Sequence, residues 1–511
     1  MNRIAAALAL MIACGGPTAD EPEEQVAPVA TGDEIPAEPP PREPPPESGP
    51  ARDIRFPPIQ RASLDNDLEL NVVPYDALPV VYLRLVIKSG AETDPEGKEG
   101  LSDLVAQMLK EGTRRKSSQE LAESIEFLGA DLWTGGDEEN VHLVFRALAE
   151  HLDEAMDILA DVAQNPAFRN EELEKLKRRE KDRLGLSRRQ PRYLAREAFF
   201  GQLYGDHPYA TVDTNEEALG RISRRDLQRW HRKYFVPSNA FLVAVGDVTS
   251  EQVKAAAERA FGRWRGRAVG ASEAPEPPTR DSREVVIIDR PGSVQSTIYI
   301  GELAMARGDE GWVEMEVSNQ ILGGSAASRL FMDLRERRGL TYGAYSQVVE
   351  RVQTGPFVAL GAVRTEVTGE AVAGFFEHLE RWVSEPPTAE ETGHARDYLS
   401  DSFPLSIDTP GKIAGMVADL RIFDLPDDYW DGYRSSIGQV TPAAALEASR
   451  SEVHPDQMLV VIVGRAAEIA EGLRRWGPVT VLDDAGEVKQ TLEAATEAGA
   501  GEDAEGEAEG D

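Results

Sequence analysis

Apolar side chains recur along this chain with two periods that keep trading places. VVYLRLVIKSG, Val80 to Gly90, is β-branched and closed by glycine, which predicts a strand, and VHLVFRAL, Val141 to Leu148, predicts another. Around them the period is helical. Leu101, Leu104, Val105, Met108 and Leu109 place one apolar face on a helix within Lys98–Lys110, a second helix is predicted over Ser118–Leu128, and a long helical region over Leu152 to about Arg189. NAFLVAVGDVTSEQVKAAAERAFGRW, Asn239 to Trp264, reads as strand, turn and amphipathic helix. The plan then returns. REVVIIDRPGSVQSTIYIGELA (Arg283–Ala304) supplies strands, EMEVSNQILGG (Glu314–Gly324) a helix, and QMLVVIVGRAAEIAEGLRRWG (Gln457–Gly477) the same strand-turn-helix cadence. NAFLVAVGDV and QMLVVIVGRA stand about 220 residues apart, far beyond a solenoid period. This predicts a duplicated α/β domain, 54–268 and 283–482, joined by a Pro-rich linker over 269–282.

Composition changes the picture mainly at the two ends of the 511 residues. Of the net charge of −35, Gly15–Asp53 carries −8 and Asp483–Asp511 carries −10. The first contains EPPPREPPPESGP and the second ends GEDAEGEAEGD, so 14–53 is predicted to be a disordered tether and 483–511 a disordered acidic tail. The body between them stays acidic, which argues against a nucleic-acid binder, since phosphate recognition needs clustered Lys and Arg. Basic runs such as LKRREKDRLGLSRR (Leu176–Arg189) read as solvated helix faces. A single cysteine, Cys14, excludes an internal disulfide framework and a cysteine metal site. Met1–Ala13, with one early Arg and an apolar run too short to span a bilayer, resembles a lipoprotein signal peptide with the lipobox MIAC. That resemblance implies cleavage before Cys14, its acylation, and a lipid anchor in the cell envelope. Gly15 after the cysteine favours the periplasmic face of the outer membrane. An ordinary secretory signal with a chance cysteine is the other reading.

The candidate chemistry starts at GLSDLVAQMLKEGT, Gly100 to Thr113. In an H-x-x-E-H helix, two histidines four residues apart share one face and the glutamate acts as general base on a metal-bound water. Those slots here hold Asp103, Ala106 and Gln107, and none of the seven histidines stands in such a motif or its inverse.

YGDHPYA (Tyr204–Ala210), WHRKYFVPSNAFLVAVGDV (Trp230–Val248) and above all ILGGSAASRLFMDLRERRGLTYGAYS (Ile321–Ser346) occur in an order and spacing that resemble the M16 peptidases, the pitrilysin and mitochondrial-processing-peptidase group, over roughly Ile54 to Leu482. The resemblance implies an α/β (α+β) fold of two homologous domains, each a mixed sheet packed with helices, together forming half of a clam-shell chamber. It also implies that Asp103 and Gln107 stand in place of the zinc histidines and Ala106 in place of the catalytic glutamate. The third ligand, a glutamate about 77 residues further on, falls near Arg183 or Leu184, with Glu180 and Asp182 close by but out of register. Zinc prefers imidazole, and an Asp with a neutral Gln offers it little. No metal or other cofactor is therefore expected in this chain. Arg335 and Tyr342, seven apart in RERRGLTY, match an Arg/Tyr pair that the family contributes from its C-terminal half. A fixed guanidinium and a phenol are suited to stabilise the oxyanion of peptide hydrolysis. The competing reading pairs Arg335 with Glu336 or Glu316 and makes Tyr342 a core aromatic. Gly323, Gly324 and Ser325 are substrate-binding candidates, because glycine lets a substrate backbone or a neighbouring strand come close; equally, they end a helix.

The resemblance implies a non-zinc subunit of a heteromeric zinc endopeptidase, inactive alone, binding peptide substrates beside a zinc-bearing partner that carries H-x-x-E-H. A catalytically inactive scaffold and a peptide-binding envelope lipoprotein are the alternatives.

Overall fold

The computed structural model describes residues 54–270 and 274–495. The signal, the tether and Cys14 lie outside the described residues, as does the acidic tail beyond Ala495.

Six strands form the first sheet: β1 (Gln60–Ser63), β2 (Glu69–Pro74), β3 (Val80–Ile87), β4 (Asp131–Gly136), β5 (Val141–Leu148) and β6 (Ala240–Gly246), in the order β1-β2-β6-β3-β5-β4. Seven form the second: β7 (Glu284–Asp289), β8 (Gln295–Leu303), β9 (Thr341–Val348), β10 (Pro356–Arg364), β11 (Leu459–Gly464), β12 (Val479–Leu482) and β13 (Val488–Leu492), in the order β13-β12-β7-β11-β8-β10-β9. The duplication is visible in these orders. β2-β6-β3-β5-β4 and β7-β11-β8-β10-β9 correspond strand for strand in order and direction, each with one parallel pair, β2 with β6 and β7 with β11, followed by antiparallel neighbours. The copy extends to backbone detail. Helix Leu101–Met108 and its counterpart Trp312–Leu322 are each entered through a glycine in the left-handed region, Gly100 at φ 88° and Gly311 at φ 89°, where a side chain would be strained.

Every residue of β6 and of β11 is buried, which accounts for the unbroken apolar runs FLVAV and LVVIV: a central strand covered on both faces has no polar side to alternate with. The cover is reciprocal. One face of the first sheet packs Leu70, Leu83 and Leu85 against Leu104, Val105 and Leu159 of its own half. Its other face, with Val86, Phe241 and Val243, is closed by Ile321, Ile413, Val417 and Ile437, all from helices of the second half. In return, Phe199, Leu203 and Tyr204 of helix Pro191–Tyr204 close the face of the second sheet that carries Val286, Tyr299 and Val461. The two halves therefore share their cores, and Ile54 onward forms one compact unit.

Two expectations need correction. The helical region from Leu152 to about Arg189 is two helices, Leu152–Gln164 and Asn170–Ser187. Pro166 lies in the break, where it bridges to Thr113 and has no N–H to continue a helix. The segment from Asp483 is ordered as far as Ala495. Asp483 accepts N–H bonds from Ala485 and Glu487 through Oδ1, both at 2.9 Å, Gly486 turns at φ 90°, and β13 pairs with β12. Lys489 Nζ lies 2.6 Å from Asp289, fixing the edge that charge counting alone marks as tail.

A polar seam joins the halves. Arg351, beyond β9, pairs with Glu138 of the β4–β5 turn at 2.8 Å, and Glu139 accepts from the Tyr209 hydroxyl and the Val352 N–H. Burial drives the Glu139 carboxyl up to about 7 in spite of those donors. Glu92 is also raised to about 7, by burial and then by the charges of Glu139 and Asp137. Asp137 runs the other way: burial opposes its ionisation, but His142 at 2.8 Å and the N–H groups of Glu139 and Asn140 hold it at about 2. A carboxyl raised on folding leaves stability intact at low pH and removes it as pH climbs through the folded value. The unfolding midpoint is accordingly expected to fall between about pH 5.5 and pH 8, and Glu139→Gln to flatten that fall by roughly 1–3 kcal/mol. Calorimetry at the two pH values tests this; an unchanged slope in Glu139→Gln would refute it.

Candidate functional site

Helix Leu101–Met108 packs against the inner face of the first sheet beside its edge strand β4. Asp94 fastens its start, accepting from Gly100 N and Ser102 N at 2.8 Å each, and burial raises the Asp94 carboxyl to about 7. One turn apart, Asp103 and Gln107 are bonded to each other, Gln107 Nε2 donating to Asp103 Oδ2 at 2.7 Å. Burial pushes the Asp103 carboxyl up, the Gln107 bond works against that, and Glu180, Arg183 and Asp213 act on it through their charges. Ala106 is fully buried in the core, where it offers no polar atom to the site. From helix Asn170–Ser187, Arg183 Nε reaches Glu180 at 2.6 Å, and its two Nη atoms clasp Asp213 at 2.7 and 2.8 Å.

These residues do not fit zinc. Its ligands must be electron-pair donors held free for the ion. Here the amide and the carboxylate are spent on each other, and the third position offers a guanidinium, which is a donor of protons and never of an electron pair. Arg183 is the residue whose importance sequence reading missed. The spacing pointed to position 183 or 184, but a lone arginine there carries no message until Glu180 and Asp213 are seen around it.

Arg335 and Tyr342 sit elsewhere, in the second half, Arg335 on the turn that leads into β9 and Tyr342 on β9 itself. Arg335 belongs to a π-helical turn, Phe331–Arg337, closed by Arg338 N donating to Asp333 O at 2.9 Å. Such turns are rare and recur at functional positions. Its side chain is 44% exposed, lies 3.3 Å from Glu336 and stacks 4.7 Å over the Phe331 ring. Asp333 anchors the turn through His378 at 2.9 Å and Arg338 at 2.8 Å. Tyr342 lies on β9, the terminal strand of its sheet, and is 88% exposed, so it is not a core aromatic. Glu316, the other acid that could have paired with Arg335, is bonded instead to the Tyr433 hydroxyl at 2.6 Å. No hydrogen bond or ion pair joins Arg335 or Tyr342 to Asp103 or Gln107 among the described residues.

Gly323 ends helix Trp312–Leu322 and uses its missing side chain on the neighbouring strand: a Cβ there would stand 2.3 Å from the Ser346 N, which donates to Gly323 O at 3.0 Å. At Gly324 a Cβ would meet the Gln320 side chain of the same helix at 2.4 Å. Ser325 Oγ accepts from Ala327 N at 3.3 Å, which shapes the turn that follows.

Comparison with known proteins agrees with this architecture. A family model described as insulinase (peptidase family M16) matches residues 72–209, and one described as peptidase M16 inactive domain matches 221–399. Among curated proteins, the uncharacterized zinc protease YmxG of Bacillus subtilis is 24% identical over 355 residues, covering 69% of this chain and 85% of its own length. The non-peptidase homolog YmxG of Helicobacter pylori is 24% identical over 337 residues, covering 65% and 77%. Of solved structures, a peptidase M16 inactive domain from Pseudomonas fluorescens aligns with a TM-score of 0.75 at 25% identity, over 80% of this chain and 97% of that one. A protease from Helicobacter pylori aligns with a TM-score of 0.74 at 17% identity over 80% and 100%, a likeness of fold alone.

Proposed function

Because this chain belongs to the M16 peptidase family, as a peptidase-like member of the inactive type, we propose that it is the non-zinc subunit of a heteromeric M16 endopeptidase. In this reading the partner carries the H-x-x-E-H helix, metal and water, and this chain binds the peptide and presents Arg335 and Tyr342 to the reacting carbonyl. The observation that supports it is the placement of Tyr342. A tyrosine 88% exposed on a sheet edge contributes almost nothing to packing, so its phenol is available to a molecule outside the chain. Half-exposed Arg335 is available in the same way. As an amide carbon becomes tetrahedral, its oxygen gains negative charge. The phenol O–H and the guanidinium N–H groups would each donate to that oxygen, and neither would have to give up its proton. β9 is the terminal strand of its sheet, and short of Ser346, whose backbone is engaged by Gly323 and Asn319, an extended peptide could add to it as a further strand.

The test is reconstitution. Dialysed alone, this chain is expected to show no chelator-sensitive peptide hydrolysis; mixed with a zinc-bearing member of the family, it is expected to raise that member's kcat. A mixture no more active than the zinc-bearing chain alone would leave the scaffold reading, which the Glu336 pairing and Phe331 stacking of Arg335 favour.

Attachment to an envelope membrane through acylated Cys14 is part of the same proposal. Cys14→Ser is expected to move nearly all of the protein from the membrane to the soluble fraction, because one or more acyl chains supply most of the binding. Fractionation with the wild type alongside checks it, and a membrane-bound Cys14→Ser protein would sink the lipobox reading.

A further inference from the structure

Around Asp103 the carboxylates raise a question of charge. Glu180 is buried, at 6% exposure, and a buried carboxylate must be paired or neutralised. Asp213 is also largely shielded, its side chain 15% exposed. Beyond the two Arg183 nitrogens, Asp213 accepts the Thr214 N–H at 2.8 Å and lies 3.4 Å from the Tyr193 hydroxyl. Asp103 adds a third carboxyl within electrostatic reach. Facing these acids is Arg183, whose Nε and both Nη atoms are all committed to them. Lys181, two residues earlier, is turned away to Glu216 at 2.8 Å. The next residue, Leu184, points into the core at 3% exposure and cannot substitute.

We propose that Arg183 is the resident cation at the position where the M16 resemblance would put zinc. Its planar fork ties helix Asn170–Ser187 to the segment carrying Asp213, supplies the positive charge that the surrounding carboxylates require, and closes the position to divalent ions. A guanidinium suits this role because it keeps its charge at any working pH and, from its half-exposed position, engages two shielded carboxylates in fixed directions. The carboxylates are consequently spaced for a guanidinium and not for an ion. Among the described residues no three acids or histidines stand close enough to hold a metal. The disagreement with the family's metal chemistry is thus a replacement: the site keeps a cation, but a covalently attached one. This inference rests on family membership and is independent of any role of Arg335 and Tyr342.

Restoring the histidines alone should therefore fail. The variant Asp103→His/Gln107→His is expected to retain no stoichiometric zinc after dialysis, and its unfolding temperature to ignore added zinc and EDTA, as the wild type's does. Adding Arg183→Glu removes the cation and supplies the third ligand. The triple variant is expected to hold about one zinc per chain and to gain several degrees of Tm with zinc, lost again with EDTA. Should a further buried acid keep the metal-free triple variant from folding, Arg183→Gln in the same background gives the neutral version, expected to hold zinc more weakly but measurably. Metal analysis reads every arm without any peptidase assay. Stoichiometric zinc in the double variant, with Arg183 in place, would overturn the proposal. So would the absence of zinc from both triple variants.

Discussion

Tyr342→Phe is expected to lower kcat of the reconstituted peptidase by about 10²- to 10³-fold while leaving the isolated chain as stable as wild type. The two halves of that statement come from different facts. Stability should hold because the side chain is 88% exposed and the change removes one oxygen from a group that no neighbour packs against; such surface changes stay within about 0.5 kcal/mol. Turnover should fall because a donor aimed at developing charge acts in the transition state and hardly at all in the ground state, so its loss appears in kcat and not in KM. Arg335→Ala should lower kcat comparably and also raise KM, since the guanidinium can hold a peptide carbonyl before reaction as well as during it. Steady-state kinetics on the mixture, with complex formation followed by sedimentation, separates these outcomes. If both variants assemble and turn over like wild type, the Arg/Tyr pair is a surface feature, and the protein is a scaffold.

Arg351→Ala should be the most damaging single substitution at the seam between the halves, costing about 3–5 kcal/mol in urea unfolding. Arg351 is 3% exposed and its partner Glu138 is largely shielded, its side chain 13% exposed, so truncation leaves a carboxylate with little water to replace its partner. Glu139, one residue on, also loses the positive charge that favoured its ionised form. The ring of Tyr209, 5.4 Å beneath the guanidinium, loses its contact as well. The penalty is one of burial and not of attraction, so replacing both partners, Arg351→Met with Glu138→Leu, should recover most of it, to within about 1–2 kcal/mol of wild type. A double replacement as unstable as the single one would mean that Arg351 works through packing alone.

Much of the fold could be read from periodicity because local and global signals agree. Val141–Leu148 is strand over its predicted length, and the two strand-turn-helix closures lie where apolar runs give way to helical spacing. The edge strands were harder to see. β4 is DLWTGG and β9 is TYGAYSQV, glycine-bearing and half-exposed, with too little alternation to register. The end of the chain misled for a different reason: net charge outweighed Val488 and Thr491, although five residues beside a β12 neighbour are enough for a strand. At the degenerate helix, the sequence told which ligands were gone. It could not tell what took their place, since the Arg183 cluster is assembled from Glu180, one turn back, and Asp213, thirty residues on.

The reciprocal cover of the two sheets sets a timetable for synthesis. Phe241, Val243 and Val245 leave the ribosome as the outer face of a sheet whose lid, helix Pro410–Ile422, is encoded some 165 residues later. At about 5–20 residues per second, that face waits roughly 10–30 s for its cover. Through that interval the nascent chain offers a broad, β-rich apolar surface, the kind that trigger-type chaperones hold and that neighbouring nascent chains adhere to. The Pro-rich joint after residue 268 looks like a place to cut the gene in two. Severed there, each product would keep a finished sheet with one bare face, and the pair would have to find each other before either found another copy of itself.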